Sequence, residues 1–235
     1  MRYNNYHKHT MYSNLRTLDC VSKPIDYINR AKELNHTTYF TTEHGYQGNI
    51  FEAYTLCQEN DLKCIFGVEA YYVDDIDDKS SRTMYHIMLV AMTENARREI
   101  NRIMSVANTD GYYYKPRIDL NLLLSLPANE VVVTTACIAG RMFKEDWEEK
   151  FLNPVYKHFG NNFYLEVQSH TDEKQVEHNK KIMDVHNFAL RTDYQSISIN
   201  GRASTSDTDS LSVALHNINM DYLLSYTEAN KAISI

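Results

Sequence analysis

Short apolar runs alternate with amphipathic segments along most of the chain. The apolar runs are rich in β-branched and aromatic residues, which favour β-strands. Near-continuous runs such as residues 85–92 are typical of strands that are buried on both faces. Strands are predicted at residues 37–42, 64–73, 85–92, 130–136 and 162–168, with an additional first strand around Tyr3 and Tyr6.

The segments between these strands carry apolar residues at helical spacing. Ser22 and Pro24 predict a helix start, because serine caps helices and proline suits their first turn. Asp119 is a candidate cap for a short helix that continues to Leu126. Helices are predicted at residues 24–34, 50–60, 94–107, 119–126, 142–159 and 173–187.

This alternation of strands and helices predicts an α/β fold with a parallel sheet and helices outside it. In closed barrels of this class, the chemistry lies at the C-terminal ends of the strands. The pattern stops near residue 187. Residues 196–212 are rich in Ser, Thr and Asp and indicate a loop or disorder, whereas residues 211–226 are compatible with a further helix.

The composition predicts a soluble, cytoplasmic protein without a membrane partner. The 235 residues, 43% of them hydrophobic, are enough for one barrel-sized core. No apolar run approaches the roughly 18–20 residues of a membrane span, and the N-terminus has no signal-peptide pattern. The four cysteines show no CxxC spacing, so neither a zinc knuckle nor a disulfide framework is indicated.

The formal net charge of −7 argues against broad electrostatic binding of nucleic acid. It leaves room for a local basic groove, and it is compatible with acidic residues that hold metal ions. The overall charge therefore does not decide the function.

His7 and His9 are the first candidate site residues. Side chains at i and i+2 of a strand point the same way, so both imidazoles would converge on one metal or phosphate. A surface pair of histidines is an equally simple explanation. A series of further residues beside predicted strands strengthens the functional one: His44, Glu69, His86, Cys137 and Asp193. Most lie near strand ends, but His86 lies near a strand start and does not fit that rule.

Seven stretches resemble the PHP (polymerase and histidinol phosphatase) family, in the order found in that family. They are YHKHTMYS, FTTEHGYQGN, IFGVEAYYV, YHIMLVAMTENARREINRI, YYYKPRID, TTACIAGRMF and NFYLEVQSH, within residues 1–180. The fifth and sixth stretches favour the polymerase branch, the N-terminal PHP domain of bacterial DNA polymerase III alpha subunits. The resemblance implies a distorted (β/α)7 barrel at residues 1–195, followed by a divergent tail at 196–235.

The resemblance also implies two or three divalent metals (Zn, Mn or Fe). One metal would be held by His7, His9, Glu69 and Asp193, with Glu69 bridging to a second metal at His86 and Cys137. A third would use His44 and Asp19. Imidazole, carboxylate and thiolate are suitable ligands for such metals.

Three features depart from the family pattern. Glu43 stands where the family commonly has aspartate, in TTEHG instead of TDHG. The family's final Asp-x-His is represented by Asp193 with Gln195, and glutamine is a poor substitute for an imidazole ligand. Two extra residues between Ser13 and Asp19 loosen the assignment of Asp19.

Four further residues are candidates for contact with a substrate. Arg141 is placed to meet a phosphate, and His170 is either a substrate contact or a plain loop histidine. Lys115 and Arg117 follow three tyrosines, and aromatic and cationic groups together are typical of nucleic-acid sites. A packing loop with a surface lysine is the alternative for that stretch.

The leading functional hypothesis is a metal-dependent phosphoesterase acting on nucleic acid, a 3′–5′ exonuclease of the proofreading type, with DNA and replisome proteins as partners. A carboxylate-bridged metal pair stabilises both the attacking and the leaving oxygen of phosphoester hydrolysis. The alternatives are a structural module of a replicative polymerase, in which metal only stabilises the fold, and a phosphatase for a small metabolite.

Overall fold

The computed structural model describes residues 5–14, 20–168 and 172–191, with side chains up to residue 185. The strands are β1 (Thr38–Thr41), β2 (Lys63–Tyr72), β3 (Tyr85–Ala91), β4 (Arg117–Ile118), β5 (Val131–Thr134) and β6 (Phe163–Tyr164). The α-helices are α1 (Pro24–Glu33), α2 (Ile50–Glu59), α3 (Glu94–Asn108), α4 (Leu120–Leu124), α5 (Asn153–Phe159) and α6 (Glu173–Arg191). The predicted α/β class is confirmed.

The strands form one mixed sheet in the order β1-β2-β3-β5-β6, with β4 paired to the end of β2. Three pairs are parallel, namely β1 with β2, β2 with β4, and β5 with β6. β3 runs antiparallel to both of its neighbours, β2 and β5. The prediction of a wholly parallel sheet is therefore wrong at β3.

The reversed direction of β3 explains the position of His86. Because β3 is antiparallel to β2, its N-terminal end lies beside the C-terminal end of β2, and His86 pairs with Tyr71. A residue at the start of β3 thus reaches the same edge of the sheet as residues at the ends of parallel strands.

The extended segment 5–10 lies between the two outer strands of the sheet. On one side, the Lys8 backbone N–H donates to Thr42 Oγ1 (3.2 Å), and Thr42 directly follows β1. On the other side, the His7 ring contacts Glu166 and Gln168, which follow β6. From residue 5 onward this segment forms no strand ladder, and the rest of the predicted first strand, around Tyr3, lies outside the described residues. The contacts of the segment nevertheless reach the ends of both outer strands.

Two hydrophobic cores support the sheet. The larger core packs alternate residues of β2 and β3 against α3, α5 and β5, including Val68, Leu89, Ile103, Val133 and Val155. The smaller core fills the space between β1, α1 and α2. Asp119 caps α4 as predicted, since its Oδ1 accepts from the Leu122 N–H (2.9 Å).

Two predicted elements are shorter in the structure. The helix expected at 142–159 is a π-helical turn at Glu148–Leu152 followed by α5, and the strand expected at 162–168 is regular only over β6. The tail at 196–235 and the domain boundary at 195 lie outside the described residues. In the ranges that the structure describes, no helix is both long enough and apolar enough to cross a bilayer.

Candidate metal centre

Glu69 lies at the centre of the site because of the alternation of side chains along β2. Val68 and Ala70 pack into the larger core, so Glu69 faces the opposite side of the strand. The residue is nevertheless only 1% exposed. A buried carboxylate is costly unless positive groups or metal ions surround it. The neighbours of Glu69 therefore show what this position is built to hold.

His44 reaches Glu69 through backbone pairing just beyond the end of β1. The Glu69 N–H donates to the Glu43 carbonyl (3.0 Å), and the Gly45 N–H donates to the Glu69 carbonyl (2.8 Å). Gly45 has a φ of +57°, and a Cβ there would lie 2.9 Å from the Tyr71 ring. Glycine thus lets the chain turn immediately after presenting His44.

Four imidazoles surround the Glu69 carboxylate. The distances to Oε1 are 3.3 Å from His7 Nε2 and 3.1 Å from His86 Nδ1. The distances to Oε2 are 3.1 Å from His9 Nε2 and 2.6 Å from His44 Nδ1. The His9 and His44 rings stack with centroids 3.9 Å apart. Each carboxylate oxygen therefore faces one histidine from the N-terminal segment and one from the sheet.

The donor set fits a pair of divalent metals. The donors form two groups of three, and within each group the ligand atoms lie within 4.8 Å of one another. One group is His7, His9 and Glu69, and the other is His44, Glu69 and His86. Both Glu69 oxygens are buried, and the imidazole nitrogens that face them are not aligned as regular hydrogen-bond donors. Imidazole nitrogens and a shared carboxylate are suitable ligands for Zn, Fe or Mn. The structure thus brings these five residues together, but it groups His44 with Glu69 and His86, whereas the resemblance implied a separate third metal for His44.

The protonation preferences of the site follow from its buried charges. Burial opposes ionisation of Glu69, but His86, His44 and His7 hold its pKa well below the ordinary range. Burial also opposes the charged form of His86, yet Glu69 raises the His86 pKa to about 10. Burial, reinforced by His44, lowers the pKa of His9 to about 3. An ionised carboxylate thus requires positive charge here, which bound metal would provide in place of protons.

Glu166 fixes the orientation of His7. Its Oε1 accepts from His7 Nδ1 at 2.5 Å, which leaves Nε2 directed at Glu69. Glu166 also accepts from Thr134 Oγ1 (2.6 Å) and Gln168 Nε2 (2.8 Å). A carboxylate behind a ligating histidine sets its tautomer and raises its basicity. Sequence reasoning missed Glu166, although the quoted NFYLEVQSH stretch contains it.

Glu43 supports His9 through Ser13 and does not point at the metal positions. Ser13 Oγ contacts His9 Nδ1 (3.0 Å) and donates to Glu43 Oε2 (2.5 Å). The Glu43 carboxylate also accepts from the Thr10 N–H, the Thr10 hydroxyl and Asn49 Nδ2, at 2.9, 2.6 and 2.9 Å. The glutamate that departs from the family pattern therefore braces the loop that carries His9.

Cys137 lies at the rim of the site, beside His86. Its Sγ is 3.5 Å from His86 Nδ1, and it accepts from the Ala139 N–H at 3.4 Å. The turn that presents it depends on Gly140, where a Cβ would lie 2.2 Å from the Thr135 carbonyl oxygen. The structure thus places Cys137 next to the second group of donors without including it in that group.

Two predicted substrate contacts are corrected to structural roles. Arg117 is 1% exposed and donates to the backbone carbonyls of Gly111, Asp78 and Ile76. Arg141 is 2% exposed and forms a bidentate pair with Asp74, with N–O distances of 2.8 and 3.0 Å. Burial leaves neither guanidinium open to a substrate phosphate, although Arg141 Nη1 has no hydrogen-bond partner among the described residues.

Lys115 keeps a position that is compatible with substrate contact. It is partly exposed, and its Nζ donates to the Tyr71 hydroxyl at 3.2 Å. The Tyr71 ring in turn lies 6.0 Å from the His44 ring and 5.4 Å from the His86 ring. Three other predicted site residues, Asp19, His170 and Asp193, lie outside the described residues.

The sequence is similar to a known protein family and to several named proteins. A family model described as PHP domain matches residues 5–170. The DNA polymerase III subunit alpha of Borreliella burgdorferi is 30% identical over 193 residues, which is 77% of this chain and 16% of that subunit. The subunit of the same name from Aquifex aeolicus is 27% identical over 202 residues, or 76% of this chain and 16% of that subunit. The chain thus spans about one sixth of these relatives.

A solved structure offers a more distant comparison. It is a Bifidobacterium adolescentis protein assigned as a metal-dependent phosphoesterase, with 14% identity and a TM-score of 0.49. The match covers 78% of this chain and 83% of that chain. Because the family model matches well over half of the sequence, the chain belongs to the PHP domain family.

Proposed function

We propose that this protein is a metal-dependent phosphoesterase that acts on nucleic acid as a 3′–5′ exonuclease. The observation that carries the proposal is the buried Glu69 carboxylate, whose two oxygens each face two imidazole nitrogens at 2.6–3.3 Å. The relatives named DNA polymerase III subunit alpha support a nucleic-acid substrate. They also support replisome proteins as partners and a cytoplasmic location.

The residues of the chain would divide the work as follows. Glu69 would hold two metals through one shared carboxylate, with His7 and His9 at one position and His44 and His86 at the other. Bound divalent metals would activate water and neutralise charge on a phosphoester. Glu166 keeps His7 Nε2 directed at the metal position, and Ser13 does the same for His9. Cys137 would add a soft ligand at the more open position.

Oligonucleotide hydrolysis with controlled metal content tests this proposal. Protein reconstituted with Zn²⁺, Mn²⁺ or Fe²⁺ is incubated with single-stranded DNA labelled at the 5′ end or the 3′ end. We expect immediate release of a 3′-labelled mononucleotide, progressive shortening of the 5′-labelled strand, and loss of both with chelator. Glu69→Gln, purified in parallel, reports contaminating nucleases. Equal hydrolysis by Glu69→Gln, or none with any metal, would overturn the proposal.

A structural role for the metals is the second candidate function. This role is favoured because Arg141, the predicted phosphate contact, is buried and paired with Asp74. In that case, removing metal lowers the melting temperature while no phosphoester is hydrolysed under any condition. Turnover of a nitrophenyl phosphate monoester without cleavage of DNA would instead indicate a small-molecule phosphatase.

A further inference from the structure

A groove of about 860 Å³ opens beside the metal centre. Its walls come from the turn after His44, the start of α2, the outer side of α3 and the loop before β4. We call it the aromatic groove and define it by six of its lining residues, Tyr46, Phe51, Arg97, Tyr112, Tyr114 and Lys115. The lining residues include none of the candidate metal ligands described above.

Aromatic side chains in this groove are unusually exposed to solvent. Phe51 is 82% exposed on the first turn of α2, and Tyr112 is 42% exposed in the facing loop. Isolated exposed apolar residues are common, but two large exposed rings that line one concavity are typical of a binding surface. Flat exposed rings are what an unstacked nucleobase uses as a partner.

The charge of the groove is opposite in sign to that of the whole chain. The protein carries a formal net charge of −7, yet the described residues that line the groove include Arg97 and Lys115 and no Asp or Glu. Arg97 donates to both Glu94 oxygens at 2.7 and 2.6 Å, so that carboxylate balances much of its charge and Lys115 is the more available cation. Among the described residues, no carboxylate lies within ion-pair distance of Lys115, whose Nζ contacts the Tyr71 hydroxyl. This local balance suits a polyanion.

The groove lies next to a candidate metal ligand, His44. Gly45 lines the groove and directly follows His44 in the chain. Lys115 also connects them, since the Tyr71 ring that it contacts lies 6.0 Å from the His44 ring. A strand lying in the groove would therefore pass close to His44.

We propose that the aromatic groove binds the unpaired end of a single-stranded nucleic acid. Phe51 and Tyr112 would stack on bases, while Lys115 and Arg97 would face the phosphates. A base has a π-face whatever its identity, so binding would tolerate different sequences and would weaken with salt. The inference rests on the proposed function, because it assigns that site an unpaired strand as substrate. An apolar protein segment would use the rings but would not require the two cations.

Binding without catalysis tests this inference. A fluorescent 12-nucleotide oligo-dT is titrated with metal-free protein in chelator, for the wild type, Phe51→Ala, Tyr112→Ala and Lys115→Ala. Each aromatic variant should bind about tenfold more weakly, as expected for loss of one stacked base. Lys115→Ala should weaken binding and reduce its dependence on salt. Met92→Ala removes a 56% exposed side chain outside the groove and should bind as the wild type does.

Hydrolysis of bis(4-nitrophenyl) phosphate by the metal-loaded wild type separates this inference from the proposed function. If the small diester is cleaved but the groove variants bind oligo-dT as tightly as the wild type, the groove inference is overturned and the phosphoesterase stands. If nothing is cleaved but the groove variants lose binding, the groove inference stands without the enzyme. A wild type that does not bind oligo-dT overturns the inference and leaves the groove to a protein partner. Circular dichroism on each variant confirms folding.

Discussion

The histidines of the N-terminal segment and those of the sheet share one carboxylate but differ in their surroundings. The side chains of His7 and His9 are 4% and 0% exposed, whereas those of His44 and His86 are 11% and 20% exposed. Behind the first pair stand two buried carboxylates, with Glu166 on His7 directly and Glu43 on His9 through Ser13. Beside the second pair stand the Cys137 thiol and the Tyr71 ring.

This difference separates two tasks within one centre. A histidine held by a buried carboxylate keeps one tautomer and one orientation, which favours tight metal binding. A more exposed pair beside an aromatic ring leaves space for a substrate. We therefore expect the half with His7 and His9 to set metal affinity, and the half with His44 and His86 to admit the phosphoester.

Replacing Glu69 should weaken metal binding in both halves of the centre, because both halves use its carboxylate. For Glu69→Ala we expect metal affinity to fall at least about 100-fold at both positions, since even groups behind the ligands contribute 10–100-fold. Metal content after dialysis, measured by elemental analysis, checks this. Retention of the wild-type metal content would show that the two halves do not share this carboxylate.

Glu166→Gln should affect the half with His7 selectively. The amide cannot supply the negative charge behind His7 Nδ1, so we expect metal affinity at that position to fall 10–100-fold. Metal titration that resolves the two positions provides the measurement. Glu177→Gln makes the same chemical change on the surface, where the Glu177 side chain is 67% exposed, and should have no effect. A loss confined to the other position would reverse our assignment of the two halves.

Cys137→Ala should lower metal affinity in the half with His86, and by less than Glu166→Gln lowers it in the half with His7. Its sulfur lies 3.5 Å from His86 Nδ1, at the rim of the donors. We expect about a tenfold loss of affinity at one position, at the lower end of the range for supporting groups. The same titration checks this prediction. Equal losses at both positions would mean that the thiol supports the whole centre and not its open half.

Arg141→Lys should leave both halves of the centre intact. Lysine cannot reproduce the bidentate pair with Asp74, so we expect the free energy of unfolding to fall by about 1 kcal/mol. Urea denaturation measures this, and Arg98→Lys, whose side chain is 72% exposed, serves as the control. A raised KM for DNA with unchanged stability would instead restore the phosphate contact that burial argues against.

Features fixed by local sequence were predicted well. The strand predicted at 64–73 is β2 at Lys63–Tyr72, and the helix predicted at 94–107 is α3 at Glu94–Asn108. These segments carry their own apolar periodicity, so the pattern alone determines them. The resemblance implied that His7, His9 and His86 share Glu69, and the structure brings these residues together, but it also places His44 beside Glu69 where a separate third metal was expected.

Features that depend on distant parts of the chain were not predictable in this way. The direction of β3 depends on its two neighbours, so His86 could not be placed from its own strand. Glu166 matters because it meets His7, 159 residues earlier in the sequence. Arg117 is buried and donates to three backbone carbonyls of the surrounding loops, and no local sequence pattern indicates these contacts.

Anomalous diffraction from crystals loaded with Mn²⁺ or Zn²⁺ tests the shared-carboxylate centre most directly. Data collected on both sides of the metal absorption edge locate each ion independently of the protein atoms. We predict two peaks on opposite sides of the Glu69 carboxylate, one contacting His7 and His9 and the other contacting His44 and His86. A single peak, or peaks that do not contact Glu69, would contradict the account.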